Sequence, residues 1–182
     1  MALHRGSLLG GLHQPGQRTQ KDFDALLWNA LRRPQGDYMV VEGEGAKIGR
    51  LFLPASAAEL VRGGIPVHLT ADVGMRARRI LGEYAPDRWS SSDVLRFKKG
   101  LQLIGQRLSP GELRSLRRAF DDGRFDYVVE RLLVAYYDPL YQRSSVEGRD
   151  FALTLRAEPD PARQARTLAA LLTPLIEKRL NA

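Results

Sequence analysis

Two carboxylates, Glu42 and Glu44, follow the four apolar residues Tyr38-Met39-Val40-Val41. An apolar strand ending in an acid is the arrangement in which a carboxylate holds magnesium or orients a nucleophile beside bound phosphates. Strand ends are also where ligands sit in open α/β sheets. In an extended chain Glu44 faces the same way as Glu42. The loop that would bring phosphate to such an acid, G-x-x-x-x-G-K-[ST], occurs nowhere in the sequence. An apolar run followed by an acid is common in ordinary buried strands, so both readings stay open. Lys47 and Arg50 lie just beyond, in Lys47-Ile48-Gly49-Arg50. They form either a surface ion-pair cluster of small worth or a phosphate-binding pair beside acids that serve a metal or a leaving group.

Two further groups carry chemistry. His4-Arg5-Gly6-Ser7, with Gln14, Gln17 and Gln20 downstream, offers a guanidinium, a hydroxyl and open backbone N–H groups. That set suits an anion or an RNA backbone, and it suits a frayed terminus equally. Tyr136-Tyr137-Asp138-Pro139-Leu140-Tyr141-Gln142-Arg143 interleaves aromatics with a cation. Such aromatics either stack on unpaired bases or pack a helix end into the core with their hydroxyls outward. His13 and His68 have no partnered Ser and Asp at a recognisable spacing, and no two histidines stand at a metal-site spacing. The sequence therefore predicts no metal site and no cofactor bound by a motif.

The balance of charge narrows the partners. The 182 residues carry 28 Lys plus Arg against 21 Asp plus Glu, a formal charge of +7. Lysine occurs only at 21, 47, 98, 99 and 178, so the excess is mostly arginine. A guanidinium meets phosphate through two parallel hydrogen bonds, which suits a phosphorylated partner; a general compositional bias toward arginine would give the same count. The surplus concentrates in residues 1–33 and 72–100, the second including Arg76, Arg78 and Arg79. The absence of cysteine excludes disulfides, thiolate zinc sites, iron–sulfur clusters and a cysteine nucleophile within these residues. No apolar run approaches the ~20 residues that cross a bilayer, and residues 1–10 lack a signal-peptide core. The expected location is cytoplasmic, with no membrane or DNA partner.

Local patterns predict the elements that must position these residues. Helical spacing of Phe23, Leu26, Leu27, Ala30 and Leu31 predicts a helix from Asp22, stopped at Pro34-Gln35-Gly36. Residues 38–41 and 65–70 read as buried parallel strands, Pro54–Val61 and Gly74–Tyr84 as helices. Strand, helix, strand, helix is the pattern of an α/β layer with a parallel sheet. Two strands are too few to cover with helices on both faces, so part of the sheet is expected to lie outside this sequence. Beyond Pro86, helices are predicted over 93–108, from a capping box at Ser109-Pro110-Gly111-Glu112 toward Phe120, and over Asp126–Tyr137, ended by Asp138-Pro139. Residues 151–155 alternate as a short strand, and Asp160-Pro161 opens a last helix to about Leu180. The predicted organisation is a partial α/β domain over 1–86 and a mainly helical extension over 87–182.

The order of the motifs is specific where each alone is not. His4-Arg5-Gly6-Ser7, Gln14-Pro15, Gln20-Lys21-x-Phe23, Val41-Glu42-x-Glu44, Ile48-Gly49-Arg50, Leu53-Pro54 and Tyr137-Asp138-Pro139-Leu140-Tyr141 resemble, in that order, the second half of tRNA 2-selenouridine synthase. The resemblance spans about residues 3–145. It implies a P-loop-NTPase-like domain that handles tRNA, preceded by a rhodanese domain whose cysteine carries sulfur or selenium. It implies replacement of the sulfur of wobble 2-thiouridine by selenium from selenophosphate, through geranylation with geranyl diphosphate. By the same resemblance Glu42 and Glu44 are catalytic, and His4, Arg5, Ser7, Lys47 and Arg50 bind phosphate or diphosphate. Arg76, Arg78, Arg79, Tyr141 and Arg143 meet tRNA.

The sequence departs from the family in lacking both the rhodanese domain and the Walker A loop. A truncated gene, an internal start or one half of a split enzyme is expected, with a separate rhodanese/Walker A fragment as partner and poor solubility in its absence. The alternative is a non-catalytic RNA- or protein-binding remnant of a P-loop protein.

Overall fold

The computed structural model describes residues 2, 10, 16–32, 38–43, 45–143 and 148–181. Thr19 caps helix α1 (Gln20–Leu31) by accepting from the Asp22 N–H, and the helix buries Phe23. A tight antiparallel hairpin follows, β1 (Lys47–Ile48) and β2 (Leu51–Phe52), with Lys47 opposite Phe52 and Ile48 opposite Leu51. Gly49 takes φ +62° at its turn, the position that glycine fills in type II′ hairpins. Helix α2 (Ala55–Arg62) then leads to β3 (Val67–Thr70) and α3 (Val73–Tyr84), capped by Asp72. The Asp72 carboxyl is held below its usual range, chiefly because it accepts from the Met75 N–H.

Three helices form the body of the molecule: α4 (Ser91–Ile104), α5 (Pro110–Asp121) and α6 (Phe125–Leu132). Ser90 and Asp93 close a reciprocal capping box on α4; Ser109 caps α5 with Pro110 in its first turn, as the sequence predicts. Phe97, Leu101 and Ile104 of α4 meet Leu116, Ala119 and Phe120 of α5 and Val128 and Leu132 of α6 in one buried cluster. The Phe97 and Phe120 rings stack at 4.5 Å. Gly105 lets the hairpin between α4 and α5 close: a Cβ there would stand 2.5 Å from Leu113 Cδ2.

Three expectations are corrected. Residues 38–41 form no strand; they and the residues to Gly43 have no regular structure, and Tyr38 and Val40 are 56% and 77% exposed. A parallel strand needs a neighbour's hydrogen bonds, and β3 already pairs with β4 (Leu153–Arg156) instead, Val67 opposite Leu153 through Thr70 opposite Arg156. The small parallel sheet therefore takes its second strand from the C-terminal half and not from residues 38–41.

The third correction is at Asp138-Pro139, which do not end α6. The chain widens into a π-helical stretch, Leu133–Tyr137, and resumes as α7 (Asp138–Tyr141). A π turn absorbs the carbonyl that proline cannot pair. The final helix, α8 (Pro161–Leu180), starts at its predicted Asp160 cap. No helix among the described residues is long and apolar enough to cross a membrane.

Candidate functional site

A cleft of about 1530 Å³ opens between α1, the 38–43 segment, α2, the π–α7 stretch and the end of α8. That exceeds the roughly 300–1,000 Å³ of most small-molecule pockets. Two glutamines outside its lining fix the hairpin that forms one wall. The Gln17 amide donates to Ile48 O (2.5 Å) and accepts from the Arg50 N–H (2.9 Å). Gln20 does the same one step along, donating to Phe52 O (2.8 Å) and accepting from its N–H (2.9 Å). The two side chains thus act as a surrogate strand for the hairpin, locking it to the start of α1. Gln17 and Gln20, which the sequence reading left open between an anion or RNA site and a frayed terminus, are thus engaged with the hairpin backbone.

Locked this way, the hairpin presents Lys47 to the cleft, where Glu42 also lies. Lys47 Nζ sits 5.5 Å over the Phe52 ring. Arg50 is exposed on the hairpin turn and is not among the residues lining the cleft. Glu44, His4, Arg5 and Ser7 lie outside the described residues, as do Gln14 and Pro15 of the sequence motifs. Glu42 does not follow a strand, so the strand-end argument for its placement fails. The cleft instead meets β3 at Pro66 and Val67, its N-terminal end. At the C-terminal ends of the strands the polar groups satisfy one another. Arg156 pairs with Asp72 (3.5 Å), Arg163 with Glu158 (2.7 Å), and Thr167 donates to Glu158 (2.8 Å).

The opposite wall is aromatic. Tyr136 and Tyr137 meet edge to face at 4.9 Å, and Tyr141 stacks on Tyr137 at 6.4 Å. The π turn brings all three to the cleft together with Tyr84. Arg76 anchors this wall: its two terminal nitrogens donate to Asp138 at 2.5 and 2.8 Å. The Asp138 carboxylate holds the Arg76 guanidinium above its ordinary value. Those nitrogens are committed to Asp138, and the arginine ties α3 to α7 rather than facing outward. Arg78 is exposed, Arg79 is exposed and donates to Glu158 O (2.6 Å), and Arg143 is exposed beyond Tyr141.

Two cations that the sequence reading did not single out also reach the cleft. Arg149 donates to Gly43 O (3.4 Å) and lies 5.9 Å over Phe151, whose ring stacks on His68 at 4.8 Å. Arg179, near the end of α8, donates to Gly63 O (2.5 Å) at the end of α2. Neither belongs to a motif; only the fold brings them to residues a hundred positions away. Among the described residues no group of three or more His, Asp or Glu could hold a metal ion.

Fold and cleft together define a mostly helical domain built on a small parallel sheet. A family model described as the tRNA 2-selenouridine synthase AAA domain matches residues 1–160, and the chain belongs to that family. A tRNA 2-selenouridine synthase of Ectopseudomonas mendocina is 31% identical over 90% of this chain and 51% of its own length. One from Bordetella bronchiseptica is 31% identical over 81% and 48%, and one from Nitrosomonas eutropha 27% over 78% and 47%. The chain thus spans about half the length of the curated relatives it matches. No solved structure matches it.

Proposed function

We propose that this chain is the tRNA- and diphosphate-handling part of a tRNA 2-selenouridine synthase, an enzyme acting on the wobble 2-thiouridine of tRNA. The observation that carries this reading is the cleft. One wall holds Glu42 and Lys47, the other holds three clustered tyrosines, and Arg149 and Arg179 lie at its edge. Aromatic faces beside cations are what an unstacked base on a phosphate backbone requires. Lys47, with Arg50 on the adjoining turn, neutralises the diphosphate of geranyl diphosphate; Glu42 acts at the reacting end, joined by Glu44. His4, Arg5 and Ser7 belong to the same phosphate-binding set. Arg78, Arg79 and Arg143 contact the tRNA backbone, Tyr141 stacks on a base, and Arg76 positions the tyrosine wall through Asp138.

Selenium transfer in this reading also needs a cysteine, which a rhodanese-bearing partner fragment supplies along with the Walker A loop. The P-loop-like character of the fold and a cytoplasmic setting belong to the same proposal. A second reading is an RNA- or protein-binding remnant without catalysis. One experiment separates them. In an assay reconstituted with a rhodanese/Walker A fragment, Glu42→Ala is expected to lower geranylation at least tenfold while leaving tRNA affinity and the thermal melt unchanged. Activity equal to the parent's would remove Glu42 from the chemistry, and no activity under any reconstitution would favour the remnant.

A further inference from the structure

Glu42 reaches the cleft on a segment, residues 38–43, that has no regular structure. Among the described residues a single hydrogen bond ties that segment to the rest of the chain, from Arg149 Nη1 to Gly43 O at 3.4 Å. The guanidinium also lies alongside Gly43: a Cβ there would stand 3.7 Å from Nη1 and 3.9 Å from Nη2. An irregular segment held by one contact takes its position from whatever holds the donor.

The donor is held by the parallel sheet. Arg149 Cζ lies 5.9 Å over the Phe151 ring, within the ~6 Å reach of a cation–π contact. Phe151 in turn stacks on His68 of β3, with centroids 4.8 Å apart and planes 24° from parallel. The next residue, Ala152, donates its N–H to Pro66 O at 2.9 Å, immediately before β3 and β4 pair. His68, Phe151 and Arg149 therefore form a post whose outer end meets the backbone beside Glu42. A guanidinium suits this place because its plane can rest on a ring while its edge donates. The ammonium of lysine is a point charge without such a plane.

We propose that Arg149 is a positioning residue for Glu42: from its post on Phe151 it holds Gly43 O, and so the carboxylate one residue earlier, at the cleft. The effect on the reaction rests on the reading above, in which Glu42 takes part in the chemistry. The tether itself does not, and each can fail while the other stands.

The sequence has no cysteine, so Val41→Cys carries a nitroxide at one site, two residues from Gly43. Arg149→Ala is expected to shorten the correlation time of the label at least twofold with an unchanged Tm. Arg149→Lys should do the same, because it keeps the charge and loses the fork. Phe151→Leu, which keeps apolar bulk and removes the ring, should follow. Parental line shapes in Arg149→Ala or Phe151→Leu, or full restoration by Arg149→Lys, would overturn the tether. In the reconstituted reaction Arg149→Ala should lower kcat at least fivefold with KM within twofold of the parent. It should add nothing to the loss caused by Glu42→Ala. A raised KM at parental kcat would make Arg149 a ligand of the substrate and overturn the positioning role, as would additive losses in the double variant. A loosened label in Arg149→Ala beside parental activity in Glu42→Ala would leave the tether standing and remove Glu42 from the chemistry.

Discussion

The helical body and the cleft wall place their apolar residues in opposite ways. In α4, α5 and α6 the apolar side chains face one another, and Leu101 is 1% exposed. Along residues 38–41 the same kind of side chains stand in solvent. The body has three helices to bury one cluster, whereas among the described residues the segment has no strand partner and its side chains stay half or more exposed. Apolar residues therefore carry stability in the first region and mark an interaction surface in the second.

Substitutions test that division. The largest effect is expected for Leu101→Ala, which leaves a void in the close-packed cluster. It should cost about 3 kcal/mol in denaturant unfolding. Arg76→Ala should cost about 1–2 kcal/mol, discounted because the pair with Asp138 is partly exposed. It should also loosen the tyrosine wall, read as weaker RNA binding without a change in the salt slope. Val40→Lys should move stability by under ~0.5 kcal/mol, as surface changes do, yet lower self-association in sedimentation and weaken capture of the partner fragment. A loss near that of Leu101→Ala would mean that residues 38–41 are buried in solution and would erase the contrast.

Much of the helical body was legible in the sequence because its signals are local. Ser90 and Asp93, Ser109 and Glu112, and Asp160 with Pro161 each announce a helix start within four residues. The sheet was less legible. Tyr38–Val41 has the composition of a buried strand, but strand formation depends on a neighbour, and the neighbour of β3 proved to be the segment 153–156. The π turn escaped for a similar reason: Pro139 predicts a stop, and the Arg76–Asp138 contact that ties α7 to α3 spans 62 positions. Of the cleft, Glu42, Lys47 and Tyr141 were legible from motif order. Arg149, Arg179 and the structural role of Gln17 and Gln20 depend on contacts between distant segments, which no local pattern encodes.

The central claim, as proposed, is that tRNA binds through exposed cations, Lys47 at the cleft and Arg78, Arg79 and Arg143 outside it. Its most direct test is tRNA affinity measured between 50 and 200 mM salt. With about four phosphates engaged by Lys47, Arg78, Arg79 and Arg143, affinity should fall about a hundredfold across that range, linearly in the logarithm of salt concentration. An affinity that stays constant over the same range would contradict the account.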